Sequence, residues 1–213
     1  MPENNIWNEI FTHDGRVFEE PHNAIPGFAS RVALNDGKRM LDLGCGSGRH
    51  IVYLAQRGFE VYGLDAAPQG LALTREWLEK EGLNAELCEQ SMFAPFPYPD
   101  AFFDGVFSIQ VIHHGLVDQV QAAASELQRV LKPGGLLLVT VPRGQSERSR
   151  EISSVEVEPR TYVPQEGFEK GLPHHIFLPE ELPGLFAACD VIEQHDDGHN
   201  HQLILAAKRI ERA

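Results

Sequence analysis

The sequence predicts a doubly wound α/β fold: a seven-stranded, mostly parallel sheet flanked by helices, with an antiparallel C-terminal strand. Three observations carry this. A glycine-rich turn, Gly44-Cys45-Gly46-Ser47-Gly48, follows the apolar run Met40, Leu41, Leu43 and precedes a helical stretch from Arg49. From residue 39 onward short apolar runs alternate with helical ones, as a parallel sheet requires. The last two runs are joined by the turn-rich Asp196-Asp-Gly-His-Asn200, which marks a hairpin at one sheet edge.

In chain order, residues 1–36 open with an aromatic-dotted segment, Ile6-Trp7-Asn-Glu-Ile-Phe11 and then Gly15-Arg-Val-Phe18. Pro26-Gly-Phe28-Ala-Ser-Arg-Val-Ala-Leu34 follows, a helix that packs beneath the sheet. Trp7, Phe11 and Phe18 are too apolar for a free tail, so the segment docks on the core, as ordinary packing or as a lid. Residues 37–141 hold strands at Arg39–Leu43, Glu60–Leu64, Ala85–Glu89, Phe103–Ser108 and Gly135–Val141, with helices near Arg49–Gly58, Ala67–Glu81 and Leu116–Val130. Residues 142–213 begin with a charged, proline-broken stretch read as a loop up to Pro179. A loop of that length inside a compact domain is functional or mobile. A helix near Pro179–Ala188 and strands at Asp190–His195 and His201–Lys208 complete a single domain spanning 1–213.

With 213 residues and 42% hydrophobic content, the chain is long enough to bury one sizeable core. Its formal charge of −13 opposes long contacts with nucleic-acid phosphate and favours a small-molecule or protein partner. No stretch approaches the roughly 18 apolar residues of a membrane span, and the polar start Met1-Pro-Glu-Asn-Asn is not a secretory signal, so a cytoplasmic protein is expected. Cys45, Cys88 and Cys189 lack Cys-x-x-Cys spacing and suggest neither a disulfide framework nor a thiolate metal site.

Gly44, Gly46 and Gly48 permit unusual backbone angles and put no side chain between backbone and ligand, which suits a nucleotide-type cradle. A dinucleotide site wants Gly-x-Gly-x-x-Gly or Ala; counting from Gly44, the last position falls on Arg49, which disfavours an NAD-dependent oxidoreductase. With Asp42 before the glycines and Asp65 ending the run Glu60-Val-Tyr-Gly-Leu-Asp65, the pattern resembles the class I S-adenosylmethionine-dependent methyltransferases of small-molecule type. Pro99-Asp100-Ala-Phe-Phe-Asp104-Gly-Val-Phe-Ser looks like that family's entry to its fourth strand, and Arg129-Val-Leu-Lys-Pro-Gly-Gly like its turn into the fifth. The four blocks span about residues 40–141 in the family's order.

The resemblance implies a Rossmann-like fold, S-adenosyl-L-methionine as cofactor, and methyl transfer to a small acceptor, as in quinone-, thiol- and tellurite-methylating enzymes. A non-catalytic S-adenosylmethionine-binding or regulatory protein is the alternative. It further implies that Asp42 and the Gly44, Cys45, Gly46 and Gly48 backbone hold the methionine end. Asp65 accepts from both ribose hydroxyls, a task that suits two acceptor oxygens. Ala66 flanks the adenine, and Ile109 and Gln110 pass under the cofactor. The family's acidic residue after the third strand is replaced by Gln90-Ser91-Met92, leaving the base to the Ser91 hydroxyl, the Met92 amide or water.

Of ten histidines, seven (His113, His114, His174, His175, His195, His199 and His201) fall where this topology puts the carboxyl-end face of the sheet. His113, His114 and His175 are the candidate catalytic residues, because a histidine at the mouth can deprotonate an acceptor near neutral pH. His195 and His199 are expected to be peripheral. Paired histidines can bind metal, yet neutral histidines in polar loops are commoner, so a polar wall with at most one general base and no metal is expected.

Overall fold

Alternating burial along the strands divides the core into two layers. In β1 (Arg39–Leu43), Met40 enters one apolar cluster while Leu41 and Leu43 enter the other. In β5 (Leu131–Pro142), Leu136 and Leu138 face the first layer and Leu137, Val139 and Val141 the second. Such two-faced burial is what helices on both sides of a parallel sheet demand. The computed structural model describes residues 6–144, 153–198 and 200–210; His199 and the polar run 145–150 lie outside them.

The remaining strands of the main sheet are β2 (Glu60–Asp65), β3 (Glu86–Glu89), β4 (Phe103–Ile109) and, after a smaller sheet described below, β9 (Cys189–Asp196) and β10 (His201–Lys208). Their order is β3-β2-β1-β4-β5-β10-β9. All neighbours from β3 to β5 are parallel, whereas β10 runs antiparallel to both β5 and β9, with Leu203 opposite Thr140. The seven strands and the hairpin are therefore as expected. Helices α2 (Ala24–Leu34), α3 (Arg49–Ala55) and α4 (Pro68–Glu81) cover one face, and α5 (Val117–Val130) covers the other. Strand order reverses between β1 and β4, the place where open α/β sheets bind ligands.

α1 (Ile6–Asp14) lies ahead of these and buries Ile6, Ile10 and Phe11 on one stripe. Its Asn8 side chain accepts the backbone N–H of Gln69 at 2.8 Å, so α1 caps the first turn of α4 from outside.

Two elements differ from the sequence-based expectation. Part of the span read as a loop between Pro142 and Pro179 forms a second antiparallel sheet of β6 (Ser154–Glu158), β7 (Thr161–Pro164) and β8 (His174–His175). The Ser-Val-Glu-Val-Glu alternation has the period of a strand, but its polar face hides it in a charged segment. The helix expected over Pro179–Ala188 is only a 3-10 turn at Pro179–Glu181 and one α-turn, α6 (Leu182–Leu185). Pro183 and Gly184 sit inside it, and neither propagates a helix.

Candidate functional site

The glycine loop hangs from the end of β2. Gly44 N–H donates to the Leu64 carbonyl at 2.7 Å, and Gly46 N–H donates to Asp65 Oδ2 at 2.7 Å. Gly48 stands at φ +90°, and a Cβ there would come within 2.6 Å of Thr74, whose hydroxyl donates to the Gly46 carbonyl at 2.9 Å. Only glycine fits both the left-handed angle and that contact. Gly46, at φ +52°, faces the Phe11 ring, which a Cβ would approach to 2.9 Å.

Asp65 joins three elements. Its Oδ1 accepts from Ala67 N–H at 2.8 Å ahead of α4, while Oδ2 fixes the loop. Loss of solvent pushes its carboxyl up to about 6, against the lowering effect of the Ala67 and Gly46 amides; the Asp42 charge adds to the rise.

Asp42 and Gly48 are not among the residues that border the cavity in front of the loop. The alternation of β1 puts Asp42 on the Met40 face, 1% exposed, with Oδ2 3.3 Å from His50 Nδ1. Among the described residues the buried Oδ2 has no hydrogen-bond partner, yet its charge faces the imidazole. His50 Nε2 lies 3.3 Å from the His22 amide, which donates to it, so the proton of the neutral ring sits on Nδ1, towards Asp42. His22 in turn meets Asp197 Oδ2 at 3.3 Å, and Asp197 Oδ1 accepts from the His201 amide at 3.1 Å. A polar chain thus braces the loop from behind, reaching the β9–β10 hairpin.

In front of the loop lies a cavity of about 1180 Å³. Gly44, Cys45, Gly46, Asp65, Ala66, Ser91, Met92 and Ile109 line one part. Gln110, also lining it, is held at φ +62°, its N–H donating to Thr140 Oγ1 at 2.9 Å and its side chain 3.4 Å from His201 Nδ1. A non-glycine residue kept there is backbone strain at a site. The other part is walled by α1 through Trp7 and Phe11, by the turn bearing His113 and His114, and by Tyr162, Phe168, Glu169 and His174 of the small-sheet region. Phe18 also borders the cavity, under the Arg49 guanidinium at 4.7 Å.

The histidines divide. His113, His114 and His174 come together, with ring centroids 4.1 Å apart for the first pair and 4.8 Å for His114 and His174. Burial holds His113 and His114 well below the ordinary 6.5, and the neighbouring imidazoles push the same way, so both are neutral at pH 7. His175 does not join them, which corrects its assignment as a catalytic candidate. Successive residues of a strand point to opposite faces, and its Nδ1 pairs with Thr161 Oγ1 at 2.7 Å beside a separate hollow with Arg160 and Phe177. His195 is exposed, away from the cavity, as expected. Tyr162 and Glu169 were missed, because no spacing in the sequence ties that segment to the turn after β4.

Residues 41–139 match the family model described as a methyltransferase domain. The chain is 35% identical over 118 residues to an uncharacterized methyltransferase of Synechocystis sp., covering 55% of this chain and 52% of that one. It is 41% identical over 104 residues to the demethylmenaquinone methyltransferase of Thermus thermophilus, covering 48% and 46%. It thus spans about half the length of these curated relatives. A solved S-adenosylmethionine-dependent methyltransferase from Methanosarcina mazei superimposes with a TM-score of 0.73 at 22% identity, covering 90% of this chain and 100% of that one, a likeness of fold. Its domain match over residues 41–139, its relatives and its sheet order make the chain similar to the class I S-adenosylmethionine-dependent methyltransferases, whose cofactor is S-adenosylmethionine.

Proposed function

We propose that this chain transfers a methyl group from S-adenosylmethionine to a small-molecule acceptor bound in the same cavity. The observation that carries this is the cavity itself. Its volume of about 1180 Å³ exceeds the roughly 300–1,000 Å³ of ordinary single-ligand sites, and it joins the Gly44–Gly48 loop and Asp65 to a separate aromatic and histidine wall.

The residues present fit the cofactor. Each Asp65 oxygen has two acceptor sites, so the carboxylate can receive ribose hydroxyls while still holding Gly46 and Ala67. Ala66 is small enough to lie beside the adenine, with Ser91 and Met92 within the lining to meet its edge. Cys45 is inert there: burial raises its thiol, and the Asp65 and Asp42 charges raise it further.

When bound, S-adenosylmethionine supplies a methyl group already activated by its sulfonium. The protein's task is to align that carbon with the acceptor atom and to exclude water. Trp7, Phe11 and Phe168 provide the apolar wall, Tyr162, His114 and His174 the polar contacts that orient an acceptor. The net charge of −13 supports a small molecule over nucleic acid.

Incubation with methyl-labelled cofactor and a panel of phenols, thiols, quinols and oxyanions tests this. Label transferred to one class supports the proposal. Saturable cofactor binding with no transfer across the panel would favour a non-catalytic binding protein.

A further inference from the structure

We propose that His113, His114 and His174, with Glu169 beside them, form a binding site for a divalent transition-metal ion of the zinc class. It goes beyond the methyl-transfer reading and reverses the expectation of no metal.

One nitrogen from each of the three histidines lies within 4.8 Å of the others. Glu169 reaches the same group, with Oε1 3.9 Å from His114 Nε2 and Oε2 3.4 Å from His174 Nε2. A tetrahedral ion with bonds of about 2.0–2.1 Å spaces its ligands about 3.4 Å apart, so the carboxylate is already at that spacing from His174 and the imidazoles need only small side-chain rotations. His113 is 3% exposed, and among the described residues its buried Nδ1 has no hydrogen-bond partner, a cost that an ion bound at that nitrogen would remove.

The backbone brings these groups together from segments about sixty residues apart in sequence. The His114 amide donates to the Val111 carbonyl at 2.9 Å, closing the turn after β4. The His175 amide donates to the His113 carbonyl at 2.9 Å, which seats β8, and with it His174, against that turn. Three imidazoles and one carboxylate suit zinc, cobalt, nickel or iron(II) rather than magnesium or calcium, which take oxygen ligands. All four residues line the cavity, so an oxygen, nitrogen or sulfur atom of a molecule bound there can reach the ion as a fifth ligand.

The test uses the whole chain, purified without a histidine tag and stripped by a chelator, then titrated with cobalt(II) followed by its visible absorption, and with zinc in competition with a chromophoric chelator. One ion per chain at micromolar or tighter affinity is expected. His114→Ala and His174→Ala should each weaken zinc binding by about a hundredfold or more, and Glu169→Gln by about tenfold, while the exposed His195→Ala leaves it unchanged. Thermal melts confirm that each variant is folded, and the partly exposed His174 is less disruptive to replace than the buried His114. No one-to-one binding, or binding equal in all the variants, would overturn the site as absent or adventitious. Titration with S-adenosylhomocysteine reports separately on the cofactor end, so failure of one reading is told from failure of the other.

Discussion

At the scale of single residues, Asp65 does the most. Its folded pKa of about 6 lies above the ordinary 3.8, so the folded chain holds that proton more tightly than the unfolded one. Its contribution to stability is therefore present below about 3.8 and lost as pH rises through about 6. Ligand hydroxyls prefer the carboxylate, so affinity for S-adenosylhomocysteine should fall about tenfold per pH unit below about 6 and level off above it. Asp65→Asn offers one acceptor oxygen where the Gly46 and Ala67 amides need two, and should weaken that affinity about tenfold to a hundredfold while flattening the pH profile. Calorimetry at several pH values checks both, and unchanged affinity in the variant would remove Asp65 from the ribose. Asp65 was legible because it ends an apolar run. The contact of Asp42 with His50 was not legible, because a motif does not say which face of its strand a side chain takes. Glu169 was illegible because what matters about it is nearness to His114 and His174, created by a backbone bond between β8 and the turn after β4.

At the scale of elements, α1 both packs on the core and borders the cavity. Phe11 is 5% exposed, packed against Gly46 and Gly70, and borders the cavity, so it is both core and roof. Trp7 is only partly buried, with its ring centroid 6.2 Å from that of His114 and 5.8 Å from that of Phe11. The two should separate under mutation. Phe11→Ala should cost about 3–5 kcal/mol of stability. Trp7→Ala should leave the melting temperature close to the parent's and lower acceptor turnover at least about tenfold, through a wall that no longer positions the acceptor. Melting and steady-state rates measured side by side decide it; equal loss of stability in both variants would make α1 ordinary packing. The parallel strands were readable from apolar runs, whereas β6 to β8 were not, because the valines of β6 are exposed and alternate with glutamates and the third strand is two residues long.

At the scale of the whole molecule, the sheet order places the ends of β1, β2 and β4 around one opening, and the small sheet and α1 close it. The order was foreseeable, since alternating strands and helices with right-handed crossovers leave few arrangements. Of the closing pieces, the docking of α1 was foreseeable from its aromatic residues, whereas the small sheet was not, since its seat is a backbone bond from His175 to the His113 carbonyl. The central claim is that the opening holds S-adenosylmethionine against the glycine loop and Asp65. Its most direct test is calorimetric titration of the purified chain with S-adenosylhomocysteine and, separately, with NAD. One-to-one binding of S-adenosylhomocysteine with no heat from NAD is the predicted result; binding of NAD alone, or of neither, would contradict it.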